Sequence, residues 1–188
     1  CIVTSNTSTI PIKLLVEEMP KPFRERFAIT HYFNPVRYMR LLELVGGPET
    51  SAQTLDRVEA FCDGALGKGV VRCADSPGFL ANRVGVYALQ LCLCEAAARG
   101  MDVETVDALM GRPMGIPKTG VFGLYDLIGI DLMSDVVQSL VNILPDGDAF
   151  HAEAAVVPLM SEMIANGQTG NKQGKGFYRI DEATNPRY

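Results

Sequence analysis

The sequence predicts an α/β segment followed by an all-helical segment, and two observations carry that reading. Up to about residue 75, short apolar runs alternate with helix-like stretches. From "SPGF" at residues 76–79 onward, every segment reads as helix or loop. The boundary is expected at Asp75-Ser76-Pro77-Gly78, giving segments 1–75 and 76–188.

The elements follow in order. "CIV" reads as a short strand ended by the polar loop "TSNTST". "IPIKLLVEEM" reads as a helix with Ser or Thr at its cap and Pro11 in its first turn, and Pro20 and Pro22 are expected to end it. "FAITHYF" and "RLLELV" read as strands on either side of the Asn34-Pro35 turn. An amphipathic helix is expected from about Ser51 to Leu66, then a strand, "GVVRC". In the second segment, "FLANRVGVYALQLCLCEAAARG" reads as a long helix stopped by Gly100. "DVETVDALMG" reads as a helix capped by Asp102. "GVFGLYDLIG", "IDLMSDVVQSLVNIL" and "AFHAEAAVVPLMSEMIANG" read as three more helices, and "QTGNKQGKGFYRI" as a Gly-rich turn with a terminal strand or arm.

Composition narrows the function classes. The net charge is −5 and no basic block occurs, which argues against nucleic acid or an anionic membrane as the partner. No run of about 18 uncharged apolar residues is present, so no membrane span is expected. The cysteines, Cys1, Cys62, Cys73, Cys92 and Cys94, form neither a CxxC pair nor a Cys/His zinc spacing. No metal site is expected, and an odd cysteine count without a framework fits a reducing compartment, hence a cytoplasmic location. The chain carries no basic-then-apolar leader. It starts without Met in what reads as the middle of a strand, so it is expected to be part of a longer protein.

Two phosphate-loop look-alikes are set aside. "GALGKG" lies between a helix and a strand, whereas a dinucleotide loop lies between a strand and a helix, so it reads as a helix stop. "GNKQGKGF" lacks a Ser or Thr after the Lys and a helix behind it.

One constellation points to chemistry. His31 ends an apolar run, and Glu43 places a charge inside the apolar run "LLELV". Two strands joined by a turn can bring them side by side, as a base and the carboxylate that fixes its tautomer. Read alone, His31 fits a structural histidine better than a catalytic one and Ser8 a helix cap, while Asn34 could be a turn residue and Asn82 a group that satisfies backbone at the junction.

Taken together, "TSNTST", "THYFNPVRYMRLLELV", "DSPGFLANR" and "GNKQGKGFY" resemble the 3-hydroxyacyl-CoA dehydrogenase family of fatty-acid β-oxidation over nearly the whole chain, from Ser5 to about Tyr178. The resemblance implies the end of a Rossmann-like NAD domain followed by a helical domain that often dimerises. It implies NAD as cofactor and an acyl-CoA substrate. It makes His31 the general base, Glu43 its orienting partner, Ser8 a hydroxyl near substrate and cofactor, and Asn82 a substrate contact. Asn34 becomes a nicotinamide-side contact and Lys172 a tail lysine that approaches NAD. The GxGxxG loop has no counterpart in the chain, so the chain by itself is expected to be inactive. "GIPKTGVFGLYDLIGID" is similar to the helical domains of multifunctional β-oxidation proteins, so the expected assembly is a homodimer or tandem domains of a larger protein. The competing readings are a non-catalytic helical dimerisation module and a two-domain dehydrogenase acting on hydroxy acids without CoA.

Overall fold

The computed structural model describes residues 1–8, 10–115, 118–153 and 158–179. The chain divides into two compact units, Cys1–Gly85 and Val86–Tyr188.

The first unit is built on a four-stranded sheet in the order β1-β2-β3-β4: Val3–Ser5, Phe27–Tyr32, Leu41–Gly46 and Gly69–Cys73. β1 and β2 are parallel, β2 and β3 antiparallel, and β3 and β4 parallel. β2 and β3 are buried on both faces, so their sequences read as continuous apolar runs. The two-residue side-chain period sorts these runs between two cores. Phe27, Ile29 and Val45 join Ile12, Val16 and Phe79 on one side. Ala28, Leu42 and Leu44 join Cys62 on the other. His31 and Glu43 are in step with Ile29 and Val45, so they belong to the first of these faces.

The expected 51–66 helix is α3, Ala52–Gly64, and Ser51 caps it by accepting from the Thr54 N–H at 3.2 Å. The stretch after the first loop departs from expectation. α1 covers only Ile12–Leu15, its N-cap is Pro11, and no adjacent side chain caps it. The Ile12 N–H is instead accepted by the Asp75 carboxylate at 3.0 Å, a partner 63 residues away. Pro20 and Pro22 do not simply end a helix. They start a second one, α2 at Lys21–Arg24, with Pro20 as its N-cap and Pro22 in its first turn, where the missing N–H costs nothing.

The long helix is α4, Ala81–Arg99, and it begins in the first unit. Gly100 stops it at φ 61°. The second unit then holds α5 (Val103–Leu109, capped by Asp102 through the Thr105 N–H), α6 (Phe122–Ile128), α7 (Ile130–Ile143), α8 (Phe150–Glu153) and α9 (Pro158–Ala165). The expected 149–167 helix is therefore seen as α8 and α9, and its residues 154–157 lie outside the described residues. Ile180, the last residue of the expected terminal arm, lies outside them as well. The core of this unit gathers Leu93, Val106, Phe122, Tyr125, Ile130, Leu140, Phe150 and Met160.

The Gly-rich tail is a clamp on this core. Buried Asp126 accepts the N–H groups of Phe177 and Tyr178 at 2.9 and 2.8 Å. Asp107 accepts the N–H groups of Val121, Phe122 and Gly123 at the start of α6, and the Tyr178 hydroxyl donates to it at 2.9 Å. A Cβ on Gly176 would collide with the Asp126 carboxylate. Gly176→Ala is therefore expected to destabilise the chain by about 1–3 kcal/mol, read by urea unfolding followed through helical circular dichroism.

Candidate functional site

The antiparallel register of β2 and β3 sets His31 directly opposite Glu43. Opposed residues project to the same face, and here the side chains meet: Nδ1 of His31 lies 2.7 Å from Oε2 of Glu43. The pair is buried, His31 being 7% and Glu43 0% exposed. A carboxylate this deep needs several donors, and it has them. Oε1 accepts the N–H groups of Leu80 and Ala81 at 2.9 and 2.7 Å, and the Cys73 thiol approaches the same oxygen at 3.7 Å. Leu80 immediately precedes α4 and Ala81 is its first residue, so the positive end of that helix also faces the charge.

Burial pushes the Glu43 carboxyl up. The His31 hydrogen bond, the Ala81 and Leu80 N–H groups and the charge of the imidazolium form outweigh it, and the carboxyl titrates below the ordinary glutamate value. Glu43 is thus an anionic acceptor, and Nδ1 of His31 must be the donor. That tautomer leaves Nε2 with its lone pair, as a general base requires. Burial and the Glu43 charge push the neighbouring Cys73 thiol up to about 11, so it stays protonated as a weak donor.

A tight corner aims the helix at Glu43. Gly78 and Phe79 both take positive φ, 73° and 48°. For Phe79 this is a strained conformation, held because its ring is buried in the core and packs edge-on to His31 at 5.7 Å. Phe33 packs on the imidazole from another direction at 4.7 Å. The ring is thus walled by aromatics as well as tied to a carboxylate.

The structure treats the other expected residues differently. Ser8 is half-buried in the loop after β1, a loop pinned beside His31 because Asn6 Oδ1 accepts the Tyr32 N–H at 2.9 Å. Asn82 is half-buried in the first turn of α4, directly after the two amides that hold Glu43. Asn34 is exposed at the start of the loop that leaves β2, and the Asn34-Pro35 bond is cis. Lys172 belongs to the second unit, where Nζ bonds Asp131 at 2.7 Å. Sequence reasoning missed Asn6, Cys73 and the Leu80 and Ala81 amides. Asn6 lies inside the polar run already singled out, whereas backbone donors leave no mark on a sequence. Among the described residues no cluster of three or more His, Cys, Asp or Glu could hold a metal, and no helix is long and apolar enough to cross a membrane.

The Glu43 carboxyl lies lower in the folded than in the unfolded chain. Its contribution to stability is complete above the unfolded value, about pH 4.3, and is lost as pH falls through the folded value. The urea midpoint of the wild type should therefore drop more steeply below about pH 4.5 than that of Glu43→Gln. Using the difference separates Glu43 from Asp75 and Asp126, whose carboxyls burial pushes up.

Comparison with known proteins identifies the family. Residues 1–76 match the family model described as "3-hydroxyacyl-CoA dehydrogenase, NAD binding domain", and residues 78–180 match "3-hydroxyacyl-CoA dehydrogenase, C-terminal domain". A Rickettsia felis protein, whose name describes a trifunctional enzyme of a fatty acid oxidation complex, is 44% identical over 95% of the chain. A Deinococcus radiodurans protein named as a 3-hydroxyacyl-CoA dehydrogenase is 36% identical over 100% of it. The chain spans 25% of the first relative and 54% of the second. The crystal structure of (S)-3-hydroxybutyryl-CoA dehydrogenase PaaH1 from Ralstonia eutropha superposes with a TM-score of 0.83 at 34% identity, covering 96% of this chain and 60% of that one.

Proposed function

The chain belongs to the 3-hydroxyacyl-CoA dehydrogenase family, and from that premise we propose that it carries the proton-transfer site of an enzyme that oxidises L-3-hydroxyacyl-CoA to 3-ketoacyl-CoA. The observation that carries this reading is the buried 2.7 Å bond from His31 to Glu43. Nε2 of His31 takes the proton of the 3-hydroxyl, and Glu43 stabilises the imidazolium that forms. In the reverse direction the imidazolium returns the proton to the ketone. NAD, when bound, supplies the two-electron acceptor at the same carbon. The half-buried Ser8 and Asn82 contact the substrate, Ser8 near its 3-oxygen, with Ser8, Asn34 and Lys172 assigned to the cofactor. Residues 1–75 form the last part of the NAD domain and residues 76–188 the helical domain.

The residues present fit the nicotinamide end of NAD. The carboxyl ends of the parallel strands β1 and β2, with the pinned loop after β1, are where an open α/β sheet takes a ligand. They do not fit its pyrophosphate, since no GxGxxG occurs in the 188 residues. We therefore expect the chain alone to be close to inactive, as part of a longer cytoplasmic protein. Self-association of the helical unit is part of this proposal, and sedimentation of the chain would read it.

The test is acetoacetyl-CoA with NADH and the longer protein, followed by NADH absorbance. Turnover supports the reading. Its absence from the longer protein, or turnover only of free hydroxy acids when these are supplied with NAD, would overturn it.

A further inference from the structure

Among the described residues, the proton-transfer pair and the Asp126 clamp leave one buried charged group unexplained. Lys68 is 7% exposed, inside the "GALGKG" run that reads as a helix stop in the sequence. A buried ammonium is costly unless its donors are met. Its Nζ donates to the carbonyl oxygens of Val36 and Met39 at 2.5 and 2.8 Å, and it lies 5.7 Å from the centre of the Tyr32 ring. The next residue reinforces the contact, since the Gly69 N–H donates to the Arg40 carbonyl at 2.8 Å. Three carbonyls of the loop between β2 and β3 are therefore held from the start of β4.

Apart from the Tyr38 and Met39 N–H groups donating to the Pro35 carbonyl within the turn, that loop has little else to hold it. Val36, Tyr38 and Met39 are 47%, 77% and 40% exposed, so apolar packing contributes little to its order. Yet the loop begins with Phe33, whose ring packs on His31, and with Asn34. Lys68 also touches Tyr32, the residue between His31 and Phe33. One ammonium thus ties the loop to the strand end that carries the base.

We propose that Lys68 is a positioning residue of the dehydrogenase site, its buried ammonium clasping the Val36 and Met39 carbonyls and so fixing Phe33 and Asn34 beside His31. The tether stands on this geometry, whereas its kinetic role rests on the function proposed above. A purely structural lysine in this place would be replaceable by an apolar side chain of similar volume with kinetics unchanged.

The experiment has two arms and two variants, Lys68→Met and Lys68→Gln. In the 188-residue chain, limited trypsin cleavage is followed at Arg37 and Arg40 by mass spectrometry. Lys68→Met, which loses both hydrogen bonds, should be cut about a hundredfold faster than wild type, roughly tenfold for each bond, with circular dichroism unchanged. Lys68→Gln, which keeps an amide donor, should fall between the two, and it carries the test if the Met variant fails to fold. In the longer protein, the KM for NADH should rise about tenfold while kcat falls by less than about threefold, the signature of a displaced binding group rather than a damaged base. Unchanged cleavage at Arg37 and Arg40 overturns the tether. Faster cleavage with both kinetic constants unchanged overturns the positioning role. Absence of turnover in the wild type overturns the dehydrogenase reading and the positioning role with it, while the cleavage rates still decide the tether.

Discussion

Replacing His31 with Gln is expected to lower kcat of the longer protein by about 10²- to 10⁴-fold, the range a positioned general base contributes. The glutamine amide can donate to Glu43 in place of Nδ1, so the first unit keeps its fold. It cannot accept the proton of the 3-hydroxyl. The KM for the acyl-CoA is expected to change little, because the lost interaction belongs to proton transfer rather than to binding. NADH absorbance at saturating acetoacetyl-CoA reads the effect, and circular dichroism of the same sample checks the fold. Turnover within about threefold of wild type would remove His31 from the chemistry.

Two substitutions of Glu43 separate its chemical role from its structural one. Glu43→Leu removes the acceptor shared by His31, Leu80 and Ala81 and leaves these donors buried and unpaired. Breaking a buried pair in this way costs about 3–5 kcal/mol, a large part of the roughly 5–15 kcal/mol by which a domain is stable. Urea unfolding of the chain should show a lower midpoint with little change in slope. Glu43→Gln is milder for the fold. Its amide oxygen still accepts from Leu80 and Ala81, so the expected loss is about 1–2 kcal/mol. For catalysis it is severe. The amide NH₂ faces His31, Nδ1 must become the acceptor, and the proton moves to Nε2, where the base is needed. A wrong tautomer of this kind can cost up to about 10⁴ in kcat. A Gln variant as active as wild type would contradict the orienting role of Glu43.

The central strands were legible because burial on both faces leaves unbroken apolar runs, and Asn34-Pro35 marks the turn between them. The facing of His31 and Glu43 was legible only as a possibility, since two strands around a turn can bring them together, while the register that opposes them is centred on residue 37 rather than on Asn34-Pro35. The other half of the carboxylate's environment was not. Leu80 and Ala81 act through backbone N–H groups 37 and 38 residues from Glu43, and their side chains say nothing of that role. Pro20 and Pro22 were misread because a proline lacks an N–H equally at a helix stop and in a helix's first turn. Asp75 as the partner of Ile12, and Lys68 as the clasp of the β2–β3 loop, are long-range contacts that no local pattern announces.

The central claim is that Glu43 holds His31 with its proton on Nδ1 and its lone pair on Nε2. The chain has only two histidines, His31 and His151, and the second is only partly buried, with its Nε2 2.9 Å from the Pro145 carbonyl. Imidazole nitrogen NMR of the labelled chain at neutral pH can therefore assign both rings, with His31→Gln identifying the signals that disappear. The account predicts a single Nδ1–H tautomer for His31, with Nε2 at the position of a bare nitrogen, converting to Nε2–H in Glu43→Gln. An Nε2–H tautomer in the wild type, or fast averaging between the two that Glu43→Gln leaves unchanged, would contradict it.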